Sequence, residues 1–570
     1  IELEKKFRSN EICFKQKALA YVEQRLEKIK EERGILFFDD LLIRLCRKLE
    51  QDTKGLLAGR IRSAYGAALI DEFQDTDPVQ YAIFSGVFAG GNAPLFMIGD
   101  PKQAIYGFRG ADIFSYLKAA RQAQSAYTLG CNYRSDPALV DAVNHLFSRV
   151  DNPFVFAEIA FHPAMAQAKD SAGDLVIEGD DPRDASPMTV LLVPSEEGEL
   201  NKAEGRVLAR QATAAEMARL LHLGQQGKAR LGSRNLEPRD MAVLVRKNAE
   251  AAAMNETLSA LGIPSVIHDT GNVFDSHEAM ELERVLAGIL QPGRSGLVKA
   301  ALATDMMGKN ARDLYQGDQE EQRFETWVDS FRFLRDLWIG RGFSAMFQNL
   351  VKDWDVKARL MTLDRGHRRN TNLSHLAQLL HEADLTSRGG AAVLLEWFRR
   401  QMANPENNEE HQLRLEQDAE AVTIVTIHKS KGMEYPLVFL PFLWDKPEKK
   451  NKKKDDGENK EPCIFHGGQD SQLYCDLGSD QIAIHRELAD RENQAESLRV
   501  LYVALTRAKK RCWVVWQRAK SSHETAFARL VYPVSAEAVE KPGNDSGLEE
   551  MFRAIGQESR GLIHAVPANL

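Results

Sequence analysis

Apolar and polar positions alternate with different periods along the chain. In residues 1–33, Phe7, Phe14, Leu19, Val22, Leu26 and Ile29 recur at roughly helical spacing among charges, which predicts one long amphipathic helix. Asp39 or Asp40 is placed to cap a second helix running to about Gln51. From 67 to 150 short apolar runs predict strands at 67–70, 94–99 and 126–129, alternating with helices at 78–88, 113–123 and 137–150. Residues 151–186 carry many Asp, Gly and Pro and read as an irregular linker. A second α/β unit follows, with strands at 188–193, 241–245 and 265–267 and helices at 205–224 and 249–261. Residues 276–414 lose the strand signal and read as successive amphipathic helices, one inserted helical domain. Strand character returns at 422–427 and 437–443, then a helix at 491–510 and a strand at 512–516, with a weakly structured tail from about 533. The charged, low-complexity stretch 446–462 is expected to be a disordered, solvated loop.

Composition narrows the class. A chain of 570 residues holds about three or four domains, at roughly 100–200 residues each. No apolar run approaches the roughly 20 residues that span a bilayer, and the charged start is unlike a signal peptide. The chain starts without Met and is expected to be a fragment. Six scattered cysteines form no C-x-x-C pair, which argues against a zinc or iron–sulfur site and fits a reducing cytoplasm. A net charge of −8 gives no global sign of nucleic-acid binding, although a groove needs only local positive charge.

The candidate chemistry sits at strand ends. The run at 67–70 leads into two adjacent acids, Asp71 and Glu72. In open α/β sheets ligands bind outside the carboxyl ends of the strands. One acid there can hold Mg²⁺ while its neighbour orients or deprotonates an attacking water. Acids also follow strands simply as solvated loop residues. The run at 94–99 likewise ends in Asp100, followed by Gln103, Tyr106, Phe108 and Arg109. A glutamine amide both donates and accepts, which suits a γ-phosphate or a held water. Tyr106, Phe108 and Arg109, flanked by glycines, suit stacking on single-stranded bases. The alternative places the two aromatics in a core.

In order, Ile70-Asp71-Glu72-Phe73-Gln74-Asp75, residues 99–112 and Cys131-Asn132-Tyr133-Arg134-Ser135 resemble motifs II, III and IV of superfamily 1 DNA helicases of the UvrD/Rep type. Residues 425–436 resemble motif V and residues 501–508 motif VI. Within that family the wording is similar to the helicase subunits of RecBCD-type helicase–nucleases, over most of residues 1–530. The resemblance implies an α/β fold of two RecA-like parallel-sheet motor domains, the first incomplete, with an inserted all-helical domain. Residues 1–33 would end a helical insertion of motor domain one, and 34–150 would be its C-terminal part. Motor domain two would comprise 187–275 and 415–532, the insertion 276–414 and the tail 533–570.

The implied activity is ATP-dependent 3′-to-5′ translocation and DNA unwinding in double-strand-break processing. Implied cofactors are ATP and Mg²⁺. Implied partners are single- and double-stranded DNA and RecC-like and RecD-like subunits, in the bacterial cytoplasm and with no membrane. By the same resemblance Asp71 holds Mg²⁺, Glu72 activates water and Gln103 contacts the γ-phosphate. Arg134 and Arg507 act as arginine fingers, and Glu434 contacts the ribose. Thr426 and His428 contact the DNA backbone, Arg246 and Asn248 contact single-stranded DNA, and Tyr106, Phe108 and Arg109 stack on bases. The 570 residues contain no G-x-x-x-x-G-K-S/T phosphate loop, so little or no ATPase is expected of them alone. The alternatives are a stand-alone UvrD/Rep- or AddA-type helicase, or a non-catalytic DNA-binding module that has lost the loop.

Overall fold

The computed structural model describes residues 2–89, 93–167, 173–179, 181–195, 198–268, 272–363, 366–387, 389–403, 421–446, 462–468, 472–532, 534–535, 538–539 and 542–570. The chain forms two compact units, one from residues 1–267 with 420–570 and the other His268–Ala419.

The larger unit is organised by a seven-stranded sheet. Its order is Ser265–Ile267, Val422–Thr426, Met241–Val245, Tyr435–Leu440, Ala508–Gln517, Met188–Val193 and Ile563–Pro567, with every neighbouring pair parallel. Met188–Val193 and Met241–Val245 are buried at every position, which is why they read as unbroken apolar runs rather than alternating ones. Phe439 and Trp513, paired in register on neighbouring strands, stack at 4.7 Å with an interplanar angle of 11°. The helix Lys202–Gln225 packs so closely that a Cβ at Gly205 would collide with Gln517 and Trp444.

The N-terminal part of this unit opens with the helices Glu2–Arg33, Phe38–Glu50 and Leu56–Ala64. Asp40 closes the start of the second by accepting from the Phe37 N–H at 2.8 Å and pairing with Lys30 at 2.7 Å. Ala68–Ile70 then pairs in parallel with Leu95–Met97 as a two-stranded sheet. Its central residues Leu69 and Phe96 are 68% and 54% exposed, unlike anything in the middle of the larger sheet. The helices Pro78–Phe88 and Ile113–Gln122 follow their strands and are capped by Asp77 and Asp112.

Four elements depart from the expectations. Residues 126–129 form no strand; Tyr127 and Leu129 stand in solvent, and the pairing falls instead at Cys131–Asn132 with Met165–Ala166. The long helix starts earlier and ends sooner, at Ile482–Leu505, because Ala508 already joins the sheet opposite Tyr435. An antiparallel hairpin, Cys463–Gly467 with Gln472–Asp476, was not expected. The tail is ordered where a helix, Asp545–Glu558, returns Ile563–Pro567 to the open edge of Met188–Val193. Of the charged stretch 446–462, residues 447–461 lie outside the described residues.

His268–Ala419 is helical among its described residues. Its core gathers Phe274, Leu282, Phe331, Trp338, Leu376 and Phe398, among others, from six of its helices and the turn before them. The helix Glu321–Asp353 breaks at Gly342, whose φ of 85° suits glycine, and the Phe343 N–H turns to Asp384 at 3.0 Å.

Trp513 is buried to 1% at the centre of the large sheet. Trp513→Ala is expected to lower the unfolding free energy of that unit by about 3–5 kcal/mol, measured by denaturant titration with unchanged far-UV dichroism before the transition.

Candidate functional site

Parallel pairing of Ala68–Ile70 with Leu95–Met97 sends both following loops off one edge. At the first, Glu72 adopts a left-handed φ of 49° and its N–H donates to Asp71 Oδ1 at 2.9 Å. That N–H is the one contact of the Asp71 carboxylate among the described residues. The next residues, Phe73–Asp75, form a 3₁₀ turn. Gln74, 1% exposed, spends both ends of its amide here: Nε2 donates to the Glu72 carboxylate, and Oε1 accepts from the Asp100 N–H at 3.0 Å. Gly99 must lack a side chain, because a Cβ would collide with Gln74 Oε1. Asp100 accepts from Gln103 Nε2 at 3.1 Å and pairs with Lys102 at 2.7 Å. The amide of Gln103 is therefore held beside the first acid pair.

The aromatic loop is not a core element. Phe108 is 68% exposed and meets the His428 ring edge-on at 5.2 Å. Tyr106 donates its hydroxyl to the His428 carbonyl at 3.1 Å, and the Arg109 guanidinium lies 5.4 Å from the Tyr106 ring centre. Arg499, on the helix Ile482–Leu505, anchors the loop by donating to the Ala104 carbonyl at 2.7 Å. Burial brings its guanidinium down to about 10.

Residues 131–136 dock on the start of the strand Ala508–Gln517. Ser135 Oγ donates to the Ala508 carbonyl at 2.8 Å, the Asp136 N–H donates to the Lys509 carbonyl at 2.8 Å, and Lys510 pairs with Asp136 at 2.8 Å. This brings Arg134 Nε to 3.0 Å from Glu434, whose other oxygen takes Lys509 at 2.6 Å. Lys509 and Arg134 hold the Glu434 carboxyl below its ordinary range. Arg507 is 1% exposed and no carboxylate lies within ion-pair distance of it among the described residues. Its guanidinium donates to the Val503 carbonyl at 3.0 Å, the Met433 carbonyl at 3.3 Å and the Thr506 hydroxyl at 3.1 Å. Burial, with the charge of Arg134 beside it, brings Arg507 down to about 10.

On the far side of the loop, Thr426 is buried and its hydroxyl accepts from the Lys429 N–H at 3.4 Å. Arg246 donates to the Asp445 carbonyl at 2.6 Å, while Asn248 starts a helix and is exposed. Two residues missed by the sequence reading join the halves of the site. One is Gln74. The other is Lys431, whose Nζ lies 2.5 Å from Asp75, 2.9 Å from the Gln103 carbonyl and 3.4 Å from Glu72. The only signal for either was a polar residue inside an already suspect segment. Elsewhere, His277, Glu281 and Asp305 converge in the helical unit, but Arg369 already sits 2.7 Å from Asp305 and 3.8 Å from Glu281 as their cation.

Two family models match the chain. The family model for the UvrD/REP helicase N-terminal domain matches residues 2–124, and that for the UvrD-like helicase C-terminal domain matches residues 318–519. The chain belongs to the UvrD-like helicase family. It is 37% identical to the RecBCD enzyme subunit RecB of Escherichia coli K12 over 503 residues, covering 87% of this chain and 41% of that protein. It is 38% identical to RecB of Haemophilus influenzae over 496 residues, 86% of this chain and 39% of that protein. Against RecB of Mycobacterium tuberculosis H37Rv the identity is 33% over 540 residues, 90% and 46%. The chain thus spans less than half the length of these relatives. No helix among the described residues is long and apolar enough to cross a membrane.

Burial, then the charge of Arg246, lowers the pKa of His428 from the ordinary 6.5. Unfolded chain therefore gains the proton first, and stability from this group is full above 6.5 and is lost as pH falls below it. His428→Gln is expected to lose less stability than the unsubstituted chain between pH 7 and 5, measured by denaturant unfolding at each pH.

Proposed function

We propose that this chain is the motor portion of an ATP-dependent DNA translocase and helicase, the RecB-like subunit of a RecBCD-type helicase–nuclease acting in double-strand-break repair. The observation that carries it is Arg507, a buried guanidinium with neutral hydrogen-bond partners, near enough to Arg134, Glu72 and Glu434 to feel their charge. A buried cation without a counter-ion is poised for an anion arriving from outside, and a phosphate has the geometry a guanidinium reads.

The acid pair fits Mg²⁺: Asp71 keeps one carboxylate oxygen clear of protein donors, and hard oxygen ligands suit that ion. Asp71 would hold the Mg²⁺, whose charge would neutralise the phosphates of ATP. Glu72, oriented by Gln74, would accept the proton of the attacking water, and Gln103 would report the terminal phosphate to the loop it precedes. Arg134 would leave Glu434 for the phosphate, freeing that acid for the ribose. Tyr106, Phe108 and Arg109 would stack on single-stranded bases. Thr426, His428, Arg246 and Asn248 would line the same strand's path, Arg246 after release from Asp445. The phosphate-cradling loop is not among these 570 residues. Translocation from 3′ to 5′, RecC-like and RecD-like partners and a bacterial cytoplasmic setting follow from the same reading. A DNA-binding module without catalysis is disfavoured, because Asp71, Glu72, Gln103, Arg134 and Arg507 are all retained.

Two measurements test this. In the full-length protein, Arg507→Ala is expected to lower DNA-stimulated ATP turnover by about 10³-fold or more, while these 570 residues alone turn over little ATP; steady DNA-stimulated hydrolysis by them would overturn the second expectation. Phe108→Ala is expected to weaken single-stranded DNA binding by about 1–3 kcal/mol in fluorescence anisotropy.

A further inference from the structure

The Lys431 side chain touches the acid pair's segment, the Gln103 backbone and the aromatic loop at once. Its side chain is 5% exposed, and its Nζ is ion-paired to Asp75 at 2.5 Å and to Glu72 at 3.4 Å. The same Nζ donates to the Gln103 carbonyl at 2.9 Å and lies 5.2 Å from the centre of the Tyr106 ring. The other oxygen of Asp75 is buried without a hydrogen bond, so Lys431 is its sole charged partner within ion-pair distance among the described residues. Lys431 arrives on residues 427–434, three positions after His428, whose carbonyl takes the Tyr106 hydroxyl.

We propose that Lys431 is the positioning residue that couples the aromatic loop to the acid pair. The inference rests on the helicase reading above and adds to it the route by which DNA reaches the hydrolytic acid. An ammonium is a point charge on a flexible stem and can be shared among Asp75, Glu72 and the Tyr106 face. When a base stacks on Tyr106 and Phe108, the ring that Lys431 lies over shifts against it, and the ammonium redistributes between the two carboxylates. Glu72 is thereby set in place, or released, by DNA. Asp75 acts as the tether that keeps the ammonium in the cleft. The device needs no movement of Gln103 itself, because its carbonyl, not its amide, holds Lys431.

The test uses the full-length protein with its partner subunits, comparing Lys431→Met and Lys431→Arg. With Lys431→Met the ratio of DNA-stimulated to unstimulated ATP turnover is expected to fall at least tenfold. Nucleotide-free affinity for a fluorescent oligo(dT), read by anisotropy, is expected to stay within threefold, and its change on adding a non-hydrolysable ATP analogue to disappear. Lys431→Arg, which keeps the charge, is expected to recover at least a third of the ratio. A ratio within twofold of the unsubstituted protein in Lys431→Met overturns the coupling role alone. So does a proportional fall of stimulated and unstimulated rates, the mark of a merely structural residue. If the unsubstituted protein shows no DNA stimulation, the helicase reading falls and this inference with it.

Discussion

The constraint on which the site depends is a short crossover. Val422–Thr426 and Tyr435–Leu440 run parallel with Met241–Val245 between them. Residues 427–434 must therefore return down the length of a strand and pass over another. Parallel connections usually take a dozen or more residues and a helix. Here the path is about 17 Å along the strands and about 10 Å across them, against a reach of about 30 Å. His428, Lys431 and Glu434 follow one another along this crossover, which is held in turns by the Ser430 N–H donating to the Thr426 carbonyl at 2.9 Å and the Met433 N–H to the Ser430 carbonyl at 2.9 Å. One end meets the aromatic loop, the middle meets the acid pair and the other end meets Arg134.

Charge is distributed with the same economy. The sheet side contributes Lys431, Arg507 and Lys509, and the N-terminal side contributes Glu72 and Asp75 along with Arg134. Burial raises the Asp75 carboxyl, with Lys431 opposing that rise. Buried pairs of this kind stabilise little in net terms, because desolvation offsets attraction. Their value is positional: removing one partner leaves the other uncompensated, so each holds its loop in register with the next.

Much of this was legible beforehand, for physical reasons. Met188–Val193 and Met241–Val245 stand where their apolar runs predicted, since strands buried on both faces leave an unbroken signature, and the half-buried edge strand Ser265–Ile267 also falls where expected. Ile563–Pro567 was not read as a strand, because its mixed sequence is held by the vacant edge of Met188–Val193 rather than by its own pattern. The motif loops marked Asp71, Glu72, Gln103, Arg134 and Arg507 as candidates, but not their partners. That Glu434 would hold Arg134, or that Asp445 would hold Arg246, depends on contacts between residues far apart in sequence. Lys431 is a further case, 356 positions from Asp75. Local period carries no information about such a pair.

The small sheet of Ala68–Ile70 and Leu95–Met97 has a practical consequence. Two parallel strands with Leu69, Phe96 and Ile98 in solvent present open backbone donors and acceptors beside apolar side chains. Proteins normally blunt such edges with charge, proline or a covering element, because an open one templates pairing with another chain. Handled alone at high concentration, this polypeptide would self-associate through that edge first. A detergent-sensitive oligomer in sizing experiments would then report on an uncovered strand and not on any native assembly.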